Sequence, residues 1–92
     1  MHSFWLASVP RTVLDTMLRD LQNSGNTVEP VINPQIPNHL PTWLVKGSGI
    51  TAEVIYEESS QRALVQIHEK PWLVPVSYIE QKVRESLKVA RG

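Results

Sequence analysis

The chain has 92 residues, no cysteine, and nine basic and nine acidic side chains that give a formal net charge of zero. This length suits one domain with one hydrophobic core. The lack of cysteine excludes a disulfide framework, a thiolate metal site and a cysteine nucleophile. Zero net charge argues against a nucleic-acid or membrane-surface binder that relies on bulk electrostatics.

The sequence predicts a soluble chain with a single domain over residues 1–92. Its first residues lack the basic region and apolar core of a secretory signal, and no apolar run approaches the roughly 20 residues that span a bilayer. We therefore expect a cytoplasmic protein with no membrane partner. Residues 1–58 carry three basic and six acidic side chains, and residues 59–92 carry six and three. This asymmetry permits self-association, although surface charges commonly do nothing specific.

Taken in chain order, residues 3–9 predict a strand, because they are apolar and aromatic on both parities and end before a proline. Residues 10–23 predict a helix. It begins either with Pro10 in its first turn or with Thr12 as the N-cap, paired with Asp15 three positions on. Gly25 ends it. The apolar positions recur at the spacing of an amphipathic helix. They are Leu14, Met17, Leu18 and Leu21.

A proline-rich crossover is predicted over residues 26–41. Its prolines fall every three or four residues, which excludes a helix and confines any strand to 27–31, at a sheet edge. Residues 34–37 match a PxxP ligand pattern but lack the flanking basic residue that such ligands usually carry. We therefore interpret the segment as a stiffened connection that lies against the domain.

Residues 42–46 predict a further strand that ends at a Gly-Ser-Gly turn. The glycine spacing does not match a phosphate-binding loop, and a strand rather than a helix follows, so we expect a simple turn.

The stretch from 50 to 70 predicts a β-hairpin. On each strand the apolar residues alternate with polar ones, as in a half-buried strand. A four-residue turn at 58–61 aligns the two strands so that one face is wholly apolar. In this register Tyr56, Val54 and Ala52 lie opposite Ala63, Val65 and Ile67, and on the other face Glu57, Ile55, Glu53 and Thr51 lie opposite Arg62, Leu64, Gln66 and His68.

The last helix is predicted to begin at a capping box formed by Ser77 and Glu80. Ile79, Val83 and Leu87 form its apolar stripe. Two helices with one apolar stripe each need one sheet face to cover. We therefore predict an α+β two-layer sandwich with a mainly antiparallel sheet, in the order β-α-crossover-β-β-β-α, and both helices on one face.

The candidate interaction residues are Ile55, Leu64 and the three tryptophans. Ile55 and Leu64 break the alternation and pair with each other on the uncovered face, where they form a modest apolar patch of the kind a dimer interface uses. Trp5, Trp43 and Trp72 each precede a leucine, and tryptophan is enriched at binding hot spots, although an anchor in the core or a connector is its commoner role.

The sequence predicts no catalytic residue, metal or cofactor. His2, His39 and His68 lack metal-ligand spacing, and the predicted register places Thr51, not Glu53, opposite His68. The serines at 59 and 60 lack the context of a nucleophile. A small enzyme remains open only if several chains assemble its site.

Two function classes remain. The first is a small non-catalytic protein-interaction module or accessory subunit, most simply a homodimer, that acts through the exposed sheet face. The alternative is an RNA or single-stranded nucleic-acid binder with sheet aromatics as a stacking platform and basic residues that follow the phosphates. Those basic residues are Lys70, Lys82, Arg84 and Lys88. Zero net charge and the lack of an aromatic-rich strand disfavour nucleic acid.

Overall fold

The structure is a computed structural model that describes residues 2–32 and 40–92. Over this part the chain forms five strands and two α-helices. In chain order they are β1 (His2–Leu6), α1 (Arg11–Asn23), β2 (Thr27–Val31), β3 (Thr42–Gly47), β4 (Ile50–Glu57), β5 (Arg62–Glu69) and α2 (Val76–Arg91). The strands form one antiparallel sheet in the order β1-β5-β4-β3-β2. The predicted α+β sandwich is confirmed.

The core lies between one face of the sheet and the two helices. Because side chains alternate across a strand, β1, β4 and β5 each present one parity to the helices. The buried sheet residues are Phe4, Leu6, Ala52, Val54, Tyr56, Ala63, Val65 and Ile67. The predicted apolar stripes of both helices pack against these residues and are buried. They consist of Leu14, Met17, Leu18 and Leu21 of α1, and Ile79, Val83 and Leu87 of α2. Over residues 2–32 and 40–92, neither helix has the length and hydropathy of a membrane span.

The β4–β5 hairpin has the predicted register from Glu57 opposite Arg62 to Ala52 opposite Ile67. A short 3₁₀ turn at Glu58–Ser60, followed by Gln61 at φ 52°, closes it. The predicted pairing of Thr51 with His68 is wrong. The register shifts between Thr51 and Ala52, so that Thr51 lies opposite Glu69.

Both helices begin immediately after a proline and not at the predicted side-chain caps. Pro10 (φ −62°) and Pro75 (φ −73°) occupy the N-cap positions, and neither helix has a side-chain cap hydrogen bond. A capping hydroxyl must precede the first helical residue. Thr12 and Ser77 already lie inside the first turn, so the capping interpretations at both positions are wrong. Glu80 instead accepts a hydrogen bond from Arg84 at 2.9 Å.

The proline-rich segment begins with an edge strand, as the sequence permits. β2 spans Thr27–Val31 and pairs with β3, with Pro30 opposite Trp43. Proline is tolerated at an edge because one side of the strand has no ladder to complete. The PxxP pattern at 34–37 lies outside the described residues. Ser48 (φ 53°) and Gly49 (φ 76°) form the turn from β3 to β4 with the positive φ values that tight hairpins require.

A buried hydrogen bond ties the chain before α1 to the centre of the sheet. The hydroxyl of Tyr56, which is 0% exposed, donates to the carbonyl oxygen of Val9 at 2.7 Å. The amide of Val9 donates to the carbonyl of Gln61 at 2.6 Å. β1, the start of α1 and the β4–β5 turn are therefore held together at one end of the sheet.

Candidate interaction surface

The sheet has a second face that no helix of the described chain covers, because both helices pack on the opposite one. We call it the outer face. Across it runs a line of directly paired residues, one from each strand, which we call the apolar row. In strand order the apolar row consists of Trp5, Leu64, Ile55, Thr42 and Val31.

Four of the five residues in the apolar row are hydrophobic, and all four retain solvent exposure. Trp5 is 44% exposed, whereas Leu64, Ile55 and Val31 are half-buried. Thr42 is buried, and its hydroxyl donates to the carbonyl oxygen of Leu40 at 2.9 Å. Because this hydrogen bond is made within the chain, Thr42 leaves no unsatisfied hydroxyl on the outer face. The exposed apolar part of the row thus runs from Trp5 through Leu64 to Ile55, and Val31 lies beyond the buried Thr42.

Beside the apolar row, the next line of paired residues is mostly polar. It consists of Ser3, Gln66, Glu53, Leu44 and Glu29. Leu44 is half-buried and extends the apolar surface by one position on β3. The outer face therefore has an apolar centre with polar surroundings, the arrangement seen in protein interfaces.

His68 and Glu53 are in contact, although the sequence predicts Thr51, and not Glu53, opposite His68. The His68 Nε2 atom lies 2.6 Å from Glu53 Oε1, and the two side chains are 28% and 29% exposed. Glu53 pairs with Gln66, so His68, two residues further along β5, is its diagonal neighbour on the same face. The described residues contain no group of three or more His, Asp or Glu side chains that could hold a metal ion.

At the other end of the outer face, Arg62 links the apolar row to the β4–β5 turn. Its guanidinium lies 4.2 Å from the centre of the Trp5 ring, and its Nε lies 3.1 Å from Glu57 Oε1. The hydroxyl of Ser60 also donates to Glu57 Oε1. These two donors, first Ser60 and then Arg62, hold the pKa of Glu57 below its ordinary value. The Arg62 guanidinium, itself paired with Glu57, therefore packs against one side of the Trp5 ring.

The structure brings together three of the five predicted interaction residues. Trp5, Leu64 and Ile55 are contiguous in the apolar row. Trp43 lies on the helix-facing side of β3, half-buried against the core, with the Arg11 guanidinium 5.2 Å from its ring centre. Trp72 lies in the connector between β5 and α2 and is 85% exposed. Val31 and Leu44 also lie on this surface, but the sequence does not predict this, because β2 and β3 carry apolar residues on both parities.

Most basic residues of the nucleic-acid alternative are on the opposite side of the molecule from the outer face. Lys82, Arg84 and Lys88 belong to α2, which packs on the helix-facing side of the sheet. The Arg84 side chain is also engaged: its Nη2 donates to the carbonyl oxygen of Trp5 at 3.2 Å, along the free edge of β1. Lys82 and Lys88 therefore belong to the opposite side of the sheet from a base stacked on Trp5, and Arg84 is already occupied at the edge of β1.

Comparison of the chain with models of protein families, with curated proteins and with solved structures finds no match. Function is therefore inferred from the geometry of the outer face.

Proposed function

We propose that this chain is a non-catalytic protein-interaction module that forms a homodimer through its outer face. The observation that carries the proposal is the apolar row, which crosses all five strands of a sheet face that the described helices leave open. Burial of such a row against a second copy removes apolar surface from water, the main favourable contribution to association.

The size of the outer face suits a small dimer interface. Five strands about 4.8 Å apart give a width of about 24 Å, and strands of five to eight residues give a length of about 20 Å. Each copy then contributes about 500 Å², or about 1,000 Å² for the pair. This total lies at the lower limit for specific interfaces. We therefore expect a dimer that dissociates on dilution.

The charges of the outer face are compatible with a second copy of the same face. Glu57 is paired with Arg62, and Glu53 with His68, within one chain. Two carboxylates of the face, Glu57 and Glu53, thus already have a partner nitrogen within the chain, which limits like-charge repulsion against a second copy. A highly charged partner would gain little here. These pairs support self-association over capture of an acidic or basic ligand.

Charge insertion into the apolar row tests the proposal. We expect Leu64→Glu and Ile55→Glu to convert the dimer to a monomer, because a carboxylate buried at the interface without a partner is strongly unfavourable. Leu73→Glu is the matched control, since Leu73 is 74% exposed in the connector after β5. It should leave the dimer intact.

Light scattering gives the mass of each variant, and circular dichroism shows whether it is folded. Ile55→Thr, which keeps a β-branched side chain suited to a strand, weakens the dimer without introducing a charge. Folded Leu64→Glu and Ile55→Glu variants that retain the wild-type dimer mass would contradict the proposal. So would a wild-type chain that is monomeric at every concentration.

A further inference from the structure

A second surface feature, independent of the outer face, lies between the helices and the sheet. It is a cleft of about 510 Å³ bordered by the end of α1, the β3–β4 turn and α2. We call it the helix–sheet cleft. Its volume lies within the range of about 300–1,000 Å³ that small-molecule sites occupy.

The floor of the helix–sheet cleft is apolar. The sheet contributes Val45, Ile50 and Ala52, and α2 contributes Ile79 and Val83. Val45 and Ile50 are only partly buried, so part of the floor still faces solvent. A ligand that covers these side chains would gain from the removal of their apolar surface from water.

The rim of the cleft carries one acidic group without a cationic partner. Asp20 is half-buried, and its Oδ2 accepts a hydrogen bond from the hydroxyl of Ser86 at 2.7 Å. Across the described residues, no Lys, Arg or His nitrogen lies within 4.0 Å of this carboxylate. The Ser86 hydroxyl, on a residue that is 8% exposed, fixes the carboxylate at the rim.

The other charges at the rim compensate one another. Lys82 lies 3.7 Å from Glu85 and 5.5 Å from the centre of the Tyr78 ring. The uncompensated charge of the cleft is therefore negative and belongs to Asp20. A ligand with a positive group beside Asp20 and an apolar body on the floor complements both features.

We propose that the helix–sheet cleft binds a small amphipathic amine, with its apolar body on the floor formed by Val45, Ile50 and Ala52 and its ammonium group on Asp20. An ammonium beside a carboxylate forms a charge-assisted hydrogen bond, stronger than one between neutral groups. The hydroxyl of Ser86, which donates to Oδ2, keeps the carboxylate of Asp20 in place. This site is separate from the outer face and does not require dimer formation.

The probe is n-octylammonium below its micelle-forming concentration, with octanoate and n-octanol as ligands of matched apolar length. Amide chemical shifts of the full chain, followed by NMR during titration, locate the binding. We expect octylammonium to shift amides in β3, β4 and the first half of α2, and octanoate to have no effect. Octanoate or octanol binding as tight as that of octylammonium would overturn the proposal.

Asp20→Asn tests the role of the carboxylate, because asparagine keeps an oxygen that can accept from Ser86. It should weaken octylammonium binding about tenfold. Asp15→Asn is the matched control on the same helix, since Asp15 pairs with Arg11 at 3.1 Å and does not line the cleft. Equal affinity of both variants and the wild type would refute the site. Ala52→Leu, if folded, fills the floor and should abolish binding.

Discussion

The hydrogen bond from Tyr56 to Val9 makes a quantitative prediction about stability. Replacement of Tyr56 by phenylalanine removes the hydroxyl and leaves the buried carbonyl oxygen of Val9 without this donor. An unsatisfied buried polar group costs about 1–3 kcal/mol. For a domain of this size, 1 kcal/mol corresponds to a fall in Tm of roughly 4–8 °C. We therefore expect Tyr56→Phe to lower the free energy of unfolding by about 2 kcal/mol and Tm by roughly 8–16 °C.

Urea denaturation, with thermal unfolding in parallel, measures this loss. The slope of the unfolding free energy against urea should be unchanged, because the surface exposed on unfolding is the same. Tyr78→Phe is the control: Tyr78 is 49% exposed, and its change should stay within about 0.5 kcal/mol. Equal stability of the two variants would refute the structural role of the Tyr56 hydroxyl.

Three further predictions concern the core, the connector and the β4–β5 turn. Leu14→Ala should lower the free energy of unfolding by about 2–5 kcal/mol, because Leu14 is 0% exposed and alanine leaves a cavity. Acrylamide should quench the fluorescence of Trp72 most strongly among the three tryptophans, since Trp72 is the most exposed. Ser60→Ala should raise the pKa of Glu57 towards its ordinary value, because the Ser60 hydroxyl is the main group that lowers it.

Each of these has its own measurement. Urea denaturation of Leu14→Ala beside Val89→Ala, whose side chain is 66% exposed, separates cavity formation from a surface effect; equal losses contradict the packing of α1. The exposure of Trp72 is tested by acrylamide quenching of tryptophan variants. Trp72→Phe should remove most of the quenchable fluorescence, and a larger loss in Trp43→Phe contradicts the placement of Trp72.

The effect of Ser60→Ala is measured by NMR titration of the side-chain carboxyl of Glu57. Since the folded-state pKa of Glu57 is lowered, its ionised form contributes stability above pH 4.5, its ordinary pKa. That contribution is lost as the pH falls through the folded-state pKa. An unchanged Glu57 titration in Ser60→Ala contradicts the assignment of the main donor.

The sequence predicts the fold well where a periodic pattern and a packing partner agree. In the β4–β5 hairpin, alternation on both strands fixes the register, since a shift of one residue would expose the whole apolar set. The same alternation does not determine the register beyond Ile67, because His68 and Glu69 are both polar. The register shift at Thr51 therefore has no sequence signal.

The interaction surface is predictable only in part. Ile55 and Leu64 break an otherwise regular alternation, which places them on the uncovered face. Trp5 joins them because β1 pairs with β5, a long-range pairing that local patterns do not specify. Trp43 lies on the other face. The sequence does not predict this, because β3 is apolar on both parities and alternation does not distinguish its faces.

The solution mass of the wild-type chain tests the central claim, that the outer face is an interface between two copies, most directly. Light scattering is measured over a range of protein concentrations at low and high salt. Apolar burial is not weakened by salt, whereas association driven by surface charge is screened. We predict a mass that rises from one chain to two with concentration, with the same midpoint at both salt levels. A mass of one chain throughout, or a dimer that high salt dissociates, would contradict an interface formed by the apolar row.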